Sequence, residues 1–153
     1  MDVVELTKHE AVKEYFEPKI MELAGNVLNF NFSPESADEF SLITNYSDKV
    51  VKEYITGYTR KAYGFTIIIT KNYSTFADDC NLQAMNFAQG FMDWIESQNR
   101  KKIYPYFGDC EVEKMEVLQN LPNLAGANKD AGLARYMIQA RILYIEHDND
   151  FEL

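Results

Sequence analysis

Two histidines, two cysteines and two aspartate pairs are the residues of this chain best equipped for chemistry. A hydroxyl or thiol nucleophile needs a base within hydrogen-bond reach. His9 stands at the start of a helical stretch and His147 in the acidic end "EHDNDFEL", and neither has a convincing partner. Cys80 and Cys110 belong to no CxxC and have no histidine nearby, so reduced structural thiols are expected rather than a redox pair or a zinc site. Asp78 with Asp79, and Asp148 with Asp150, offer carboxylates to a divalent cation. The first pair, however, sits where acidic side chains already suit a helix dipole, and the second lies in a fraying tail. Gly57 and Gly64 fall inside strand-like sequence, so no phosphate-binding or dinucleotide-binding glycine motif is present. An enzyme is disfavoured by what is missing, and no catalytic residue, cofactor or metal is expected.

The elements that would position any site read as one compact α+β domain spanning residues 1–153. Hydrophobic residues make up 46% and aromatics 14%, enough for a core, while 15 Lys+Arg against 24 Asp+Glu leave a net charge of −9. That balance speaks against sequence-specific nucleic-acid binding. No apolar run approaches the roughly 20 residues of a membrane helix, and "MDVVELTKHE" lacks an export pattern, so a soluble intracellular protein is expected. Thr7-Lys8-His9-Glu10 is a capping box, and Val12, Tyr15, Phe16, Ile20 and Leu23 follow at helical spacing. Pro18 predicts a break near Glu17, and Gly25 a stop. "VLNFNF" at 27–32 allows a short strand before a polar loop.

From residue 39 the period becomes two. Phe40 to Tyr46, Val50 to Ile55 and Tyr63 to Thr70 predict a meander of about three strands. Tyr63, Phe65, Ile67 and Ile69 would share a core face, with an aromatic ligand pocket as the alternative use of that face. Thr75 to Asp78 form a second capping box opening a long helix over about 76–98, its stripe of Cys80, Ala84, Phe87, Ala88, Phe91 and Ile95 lying across the sheet. "CEVEKMEVLQ" alternates imperfectly, as a bulged strand would. Residues 120–132 read as a flexible loop, and residues 147–153 as a frayed acidic tail. Between them Ala134, Tyr136, Ile138, Ala140, Ile142 and Tyr144 occupy every second position, which is a strand with one core face. The sum is a mainly antiparallel sheet of about four to five strands with an N-terminal helix and one long helix packed on it.

The element order, with "EYITGYTRKAYGFTIII", "NLQAMNFAQGFMDWIESQ", "IYPYFGD" and "ARYMIQARILYIE", resembles the tail terminator and minor capsid proteins of long-tailed bacteriophages and prophages. The resemblance covers residues 8–146, and no single phrase in it is diagnostic. It implies a homo-oligomeric ring, typically hexameric, at the head-proximal end of the tail tube in the virion, assembled in the host cytoplasm. Such a ring stops tube polymerisation and meets the tail tube protein on one side and a head-completion or neck protein on the other. A neck or head-to-tail joining protein shares that geometry.

A closed ring needs two different complementary patches on each subunit, and exposed strand edges and the 120–132 loop are expected to supply them. Tyr54, Tyr58, Arg60 and Lys61 in the turn region of the second hairpin, and Arg135 and Arg141 on the open face of the last strand, where they can meet acidic groups of a neighbouring strand or of another chain, are the interface candidates. Two readings from other classes stand beside this one. A small-molecule module would use the aromatic face as a pocket, and a metal-dependent enzyme would use the aspartate pairs.

Overall fold

The computed structural model describes residues 7–45, 52–54, 57–76 and 78–147. Its spine is a pair of long strands. β4 (Tyr58–Asn72) and β7 (Leu133–His147), each 15 residues, run antiparallel from Tyr58 opposite His147 to Asn72 opposite Leu133. Because successive side chains alternate across a strand, this register sets Tyr63 against Ile142, Phe65 against Ala140, Ile67 against Ile138 and Ile69 against Tyr136 on a single face. All eight are buried.

The other strands extend that face. β2 (Glu39–Thr44) pairs antiparallel with β4 and aligns Phe40 with Ile69 and Leu42 with Ile67. β1 (Leu28–Phe30) adds a parallel edge to β2, as the short-strand reading of 27–32 anticipates. On the far side, β5 (Glu111–Val117) and β6 (Asn123–Asn128) share one edge of β7, β5 on its C-terminal half and β6 on its N-terminal half. The path β1-β2-β4-β7-β5 is the mainly antiparallel α+β sheet expected, and the two-residue β3 (Lys52–Glu53) and β6 pair beside it.

Two helices close the apolar face. In α1 (Lys8–Ala24) the Thr7 hydroxyl accepts from the Glu10 amide at 3.2 Å and donates to the Glu10 carboxylate at 3.0 Å. Gly25 ends the helix at φ 69°, a left-handed conformation that costs glycine nothing, and its amide reaches the Met21 carbonyl. The break expected near Glu17 is absent, and α1 is one continuous helix through Pro18. Proline removes the bond to the Glu14 carbonyl, but Glu14 and Pro18 both lie on the exposed side. Water can serve the orphaned carbonyl there, while Phe16 and Ile20 anchor the buried side on either flank of the proline.

α2 (Asp78–Arg100) begins two residues later than its capping motif suggests; Ala77 lies outside the described residues. Its first turns are tied down by Asn81, whose side-chain amide accepts from the Ser74 amide and donates to the Ser74 carbonyl, at 3.0 and 2.7 Å. Phe16 joins the two helices to the sheet, with ring centroids 5.6 Å from Phe65, 6.2 Å from Phe91 and 5.9 Å from Trp94.

The opposite face carries a strap. Arg135 points away from the core and donates to the Ser33 hydroxyl at 3.0 Å and to the Ser33 and Pro34 carbonyls, pinning the β1–β2 connection against the sheet. Beneath it the buried hydroxyls of Ser41 and Thr70 have no protein partner.

Residues 120–132 are a hairpin arm rather than a loop. β6 pairs with β7 from Asn123 opposite Met137 to Asn128 opposite Leu133, with a bulge at Ala125. "NLAGAN" has no β-branched or aromatic residue, so pairing with β7 makes it a strand against its own weak propensity. Where β5 hands over to β6, Gln119 stands in for the missing strand. Its carbonyl oxygen accepts from the Gln139 amide and its amino group donates to the Met137 carbonyl, both at 2.8 Å.

Replacing Phe16, wholly buried among aromatic rings, with alanine should cost about 3–5 kcal/mol. Urea unfolding should show this as a lower midpoint with an unchanged slope.

Candidate interaction surface

Among the described residues, His9 and the two cysteines are put to structural use. His9 Nδ1 lies 2.7 Å from the Tyr63 hydroxyl, and its ring meets the Phe30 ring edge-on at 5.7 Å. The Cys80 thiol donates to the Asn72 carbonyl at 3.3 Å. Burial pushes the Cys110 thiol upward, away from the thiolate form a nucleophile needs. Asp78 and Asp79 are exposed in the first turn of α2, and the described residues contain no cluster of three or more His, Cys, Asp or Glu side chains able to hold a metal. Asp148, Asp150 and the His147 side chain lie outside the described residues.

The expected interface cations are engaged within the chain. Arg60 forms a bidentate pair with Glu113, at 2.6 and 3.1 Å, which raises the guanidinium pKa further. The β5 bulge between Val112 and Lys114 makes this pairing possible. One extra residue turns both Glu113 and Lys114 away from the core, so the imperfect alternation in sequence is the geometry of an ion-pair site. Glu116 receives Lys114 at 3.0 Å and also Arg141. Burial would lift the Glu116 carboxyl, but the hydrogen bonds from those two cations hold it below its usual value. Lys61 reaches Glu146 at 2.9 Å, and Arg135 holds the strap.

The turn region positions the two tyrosine candidates. The Tyr54 amide donates to the Tyr58 carbonyl at 2.9 Å, and Gly57, at φ 89°, closes the turn. Tyr58 is exposed and Tyr54 half-buried.

The face read as a possible ligand pocket is filled. Phe65, Ile67 and Ile69 have no exposed surface. Two open cavities, of about 410 and 370 Å³, lie elsewhere: one between α1 and the start of β1, the other beside the Lys71–Asp38 ion pair. Neither is lined by Tyr63, Phe65, Ile67 or Ile69.

Some of the apolar side chains that the fold leaves outward gather at one edge, while others, such as Phe32 and Tyr106, lie elsewhere. All six residues of β6 are exposed, and they include no charge and no proline, the usual guards of an edge strand. Leu118, Leu121 and Leu124 leave 53%, 63% and 47% of their surface in solvent. At the other end of β6, Phe76 is 99% exposed on a segment joined to the β6–β7 turn through the Tyr73 amide and the Gly132 carbonyl. The β5 edge differs, since Asn99 of α2 reaches across to accept from the Met115 amide at 2.9 Å. Residues 120–132, expected as a flexible loop that supplies ring contacts, are instead the paired edge strand that carries this surface. The available signal was three leucines at every third position in a stretch free of charge.

No helix among the described residues is long and apolar enough to cross a membrane. No protein-family model matches this chain, and no curated protein matches it.

Burial raises the hydroxyls of Tyr63 and Tyr144 to about 12, and that of Tyr15 to about 12 despite an opposing hydrogen bond from Gln98. A tyrosine that ionises near 10 when unfolded and near 12 when folded favours the folded chain below pH 10. That contribution is lost as pH rises from about 10 to 12. The urea midpoint should therefore fall over that interval, and absorbance at 295 nm should show a tyrosine group ionising only with unfolding. Tyrosines all titrating near 10 in the folded protein would contradict this.

Proposed function

We propose that this chain is a structural subunit of a long-tailed phage or prophage particle, a tail terminator or minor capsid protein whose copies join into a ring at the head-proximal end of the tail tube. The observation that carries this reading is β6, an edge strand whose six residues are all exposed and uncharged. The bulge at Ala125 is a guard on this edge, but an exposed edge without charge or proline remains suited to recruiting another strand in assembly. The sheet has a second edge at β1, on the opposite side, so two unlike surfaces face different directions. Contacts between unlike surfaces propagate head to tail and close into a ring when the rotation allows.

Two further features agree with the reading. His9 and Cys80 serve hydrogen bonding within the fold, His9 with Tyr63 and Cys80 with the Asn72 carbonyl. The net charge of −9 would let DNA pass through a ring without being gripped. With Arg60, Lys61, Arg135 and Arg141 engaged internally, the contacts fall to apolar surface, with Tyr58 as a further contributor.

Deleting the gene from the parent phage or prophage and measuring tails by negative-stain electron microscopy tests the role. Overlong, variable tubes beside tailless heads are expected. Detached tails of normal length would assign the ring to head-to-tail joining, and intact infectious particles would overturn the assignment. In the purified protein, Ala125→Lys with Ala127→Lys should abolish any ring seen by mass photometry while leaving thermal unfolding nearly unchanged.

A further inference from the structure

We infer that the strap joining β1 to β2 is a hinged cover that opens while the rest of the fold stays intact, with Arg135 as its latch. β1 and β2 run parallel, so the chain leaving Phe30 must travel back along the sheet before Glu39 can begin the next strand. It does so over the outer face, within reach of Arg135 on β7, two strands away from β2.

Both ends of the strap are fastened. The Asn31 amide donates to the Leu42 carbonyl at 2.8 Å, and the Asn31 side-chain oxygen accepts from the Thr44 amide at 2.9 Å. At the other end the Asp38 amide donates to the Thr70 carbonyl at 2.7 Å. Asn31 and Asp38 stand at φ 59° and 63°, left-handed conformations that turn the chain at each end and suit these two residue types. Between these hinges the hold is weak. Among the described residues, none of 32–37 forms a backbone-to-backbone hydrogen bond, and none of them is buried. Segments with few buried apolar contacts open at the lowest free energy.

What holds the middle down is Arg135, which donates to the Ser33 hydroxyl at 3.0 Å and to the Ser33 and Pro34 carbonyls at 3.5 and 3.4 Å. Arg60 and Arg141 meet carboxylates, whereas Arg135 meets only neutral oxygens. Water can replace those once the half-buried guanidinium lets go. The floor favours letting go. Thr70 lies opposite Arg135 on one side and Glu39 on the other, and Ser41 is two residues along β2 from Glu39. Their side chains point outward because Ile69, Phe40 and Leu42 point into the core. Both hydroxyls are nevertheless wholly buried and have no protein partner, so each carries its desolvation cost uncompensated while the cover is closed. Opening lets water reach them. It also leaves a free guanidinium beside two hydroxyls, on a face where Arg60 and Arg141 stay paired.

Iodoacetamide labelling of a Ser41→Cys variant tests the cover, with the reacted thiols assigned by peptide mass spectrometry and whole-molecule unfolding followed on the same protein in urea. Without urea the new thiol should react at least about tenfold faster than whole-molecule unfolding permits, and its rate should barely change until the global transition begins. Adding Arg135→Ala should speed the reaction about tenfold further, beyond any change in global stability. Adding Thr70→Val instead should slow it severalfold, because an uncompensated hydroxyl leaves the closed state. Should Ser41→Cys fail to fold, Thr70→Cys exchanges the two positions, with Ser41→Ala as the slowing substitution. A thiol that reacts only as fast as the whole molecule unfolds, or a rate unmoved by Arg135→Ala, would overturn the latched cover. Faster reaction with Thr70→Val would overturn it too, since that hydroxyl would then be holding the strap shut.

Discussion

Everything in this molecule depends on the 15-residue antiparallel ladder between β4 and β7. One register keeps the apolar sides of both strands on the same face, because a slip of one residue in β4 would send Tyr63, Phe65, Ile67 and Ile69 to the outer face while Ile138 and Ile142 stayed inward. The other strands inherit that register. β2 brings Phe40 and Leu42 to the face where Ile69 and Ile67 already point, and the β5 bulge brings Met115 there while sending Glu113 outward to Arg60. The helices follow from the same requirement. An apolar sheet face must be covered, and α1 and α2 cover it through a cluster of aromatic rings centred on Phe16.

The opposite face obeys a different constraint. It carries Arg60, Glu113, Lys114, Glu116, Arg135 and Arg141, and each of these side chains meets a partner in the same chain. Half-exposed ion pairs contribute little to stability, so their main consequence is to occupy charges that a second molecule would otherwise have to meet. Side-chain amides have an analogous role at the backbone. Asn99, Gln119 and Asn81 bond backbone groups where strands or helix ends fall short. Against these guarded places, β6 and the leucines around it stand out as surface left uncovered.

The gross architecture was legible in the sequence. Strict alternation from Ala134 to Tyr144, helical spacing from Cys80 to Ile95 and the capping box at Thr7 are local patterns, and each produced the element it predicts. The interaction surface was less legible because its determinants are relations between distant residues. Arginines at alternate positions of a strand look like an outward-facing interface, and nothing near Arg141 in sequence shows that Glu116 lies opposite it across a strand pair.

By itself, the sequence determined both helices and every strand but β6 in outline, and which side of α2, β4 and β7 turns inward, because propensity, capping and period act over a few residues. Tertiary structure decided that Pro18 would not divide α1, since packing on the buried side outweighs a bond lost to solvent. It also decided that "NLAGAN" would be a strand, because β7 offered it an edge to pair with. Long-range pairing overrides local preference where that preference is weak, and in this chain it is weakest at β6.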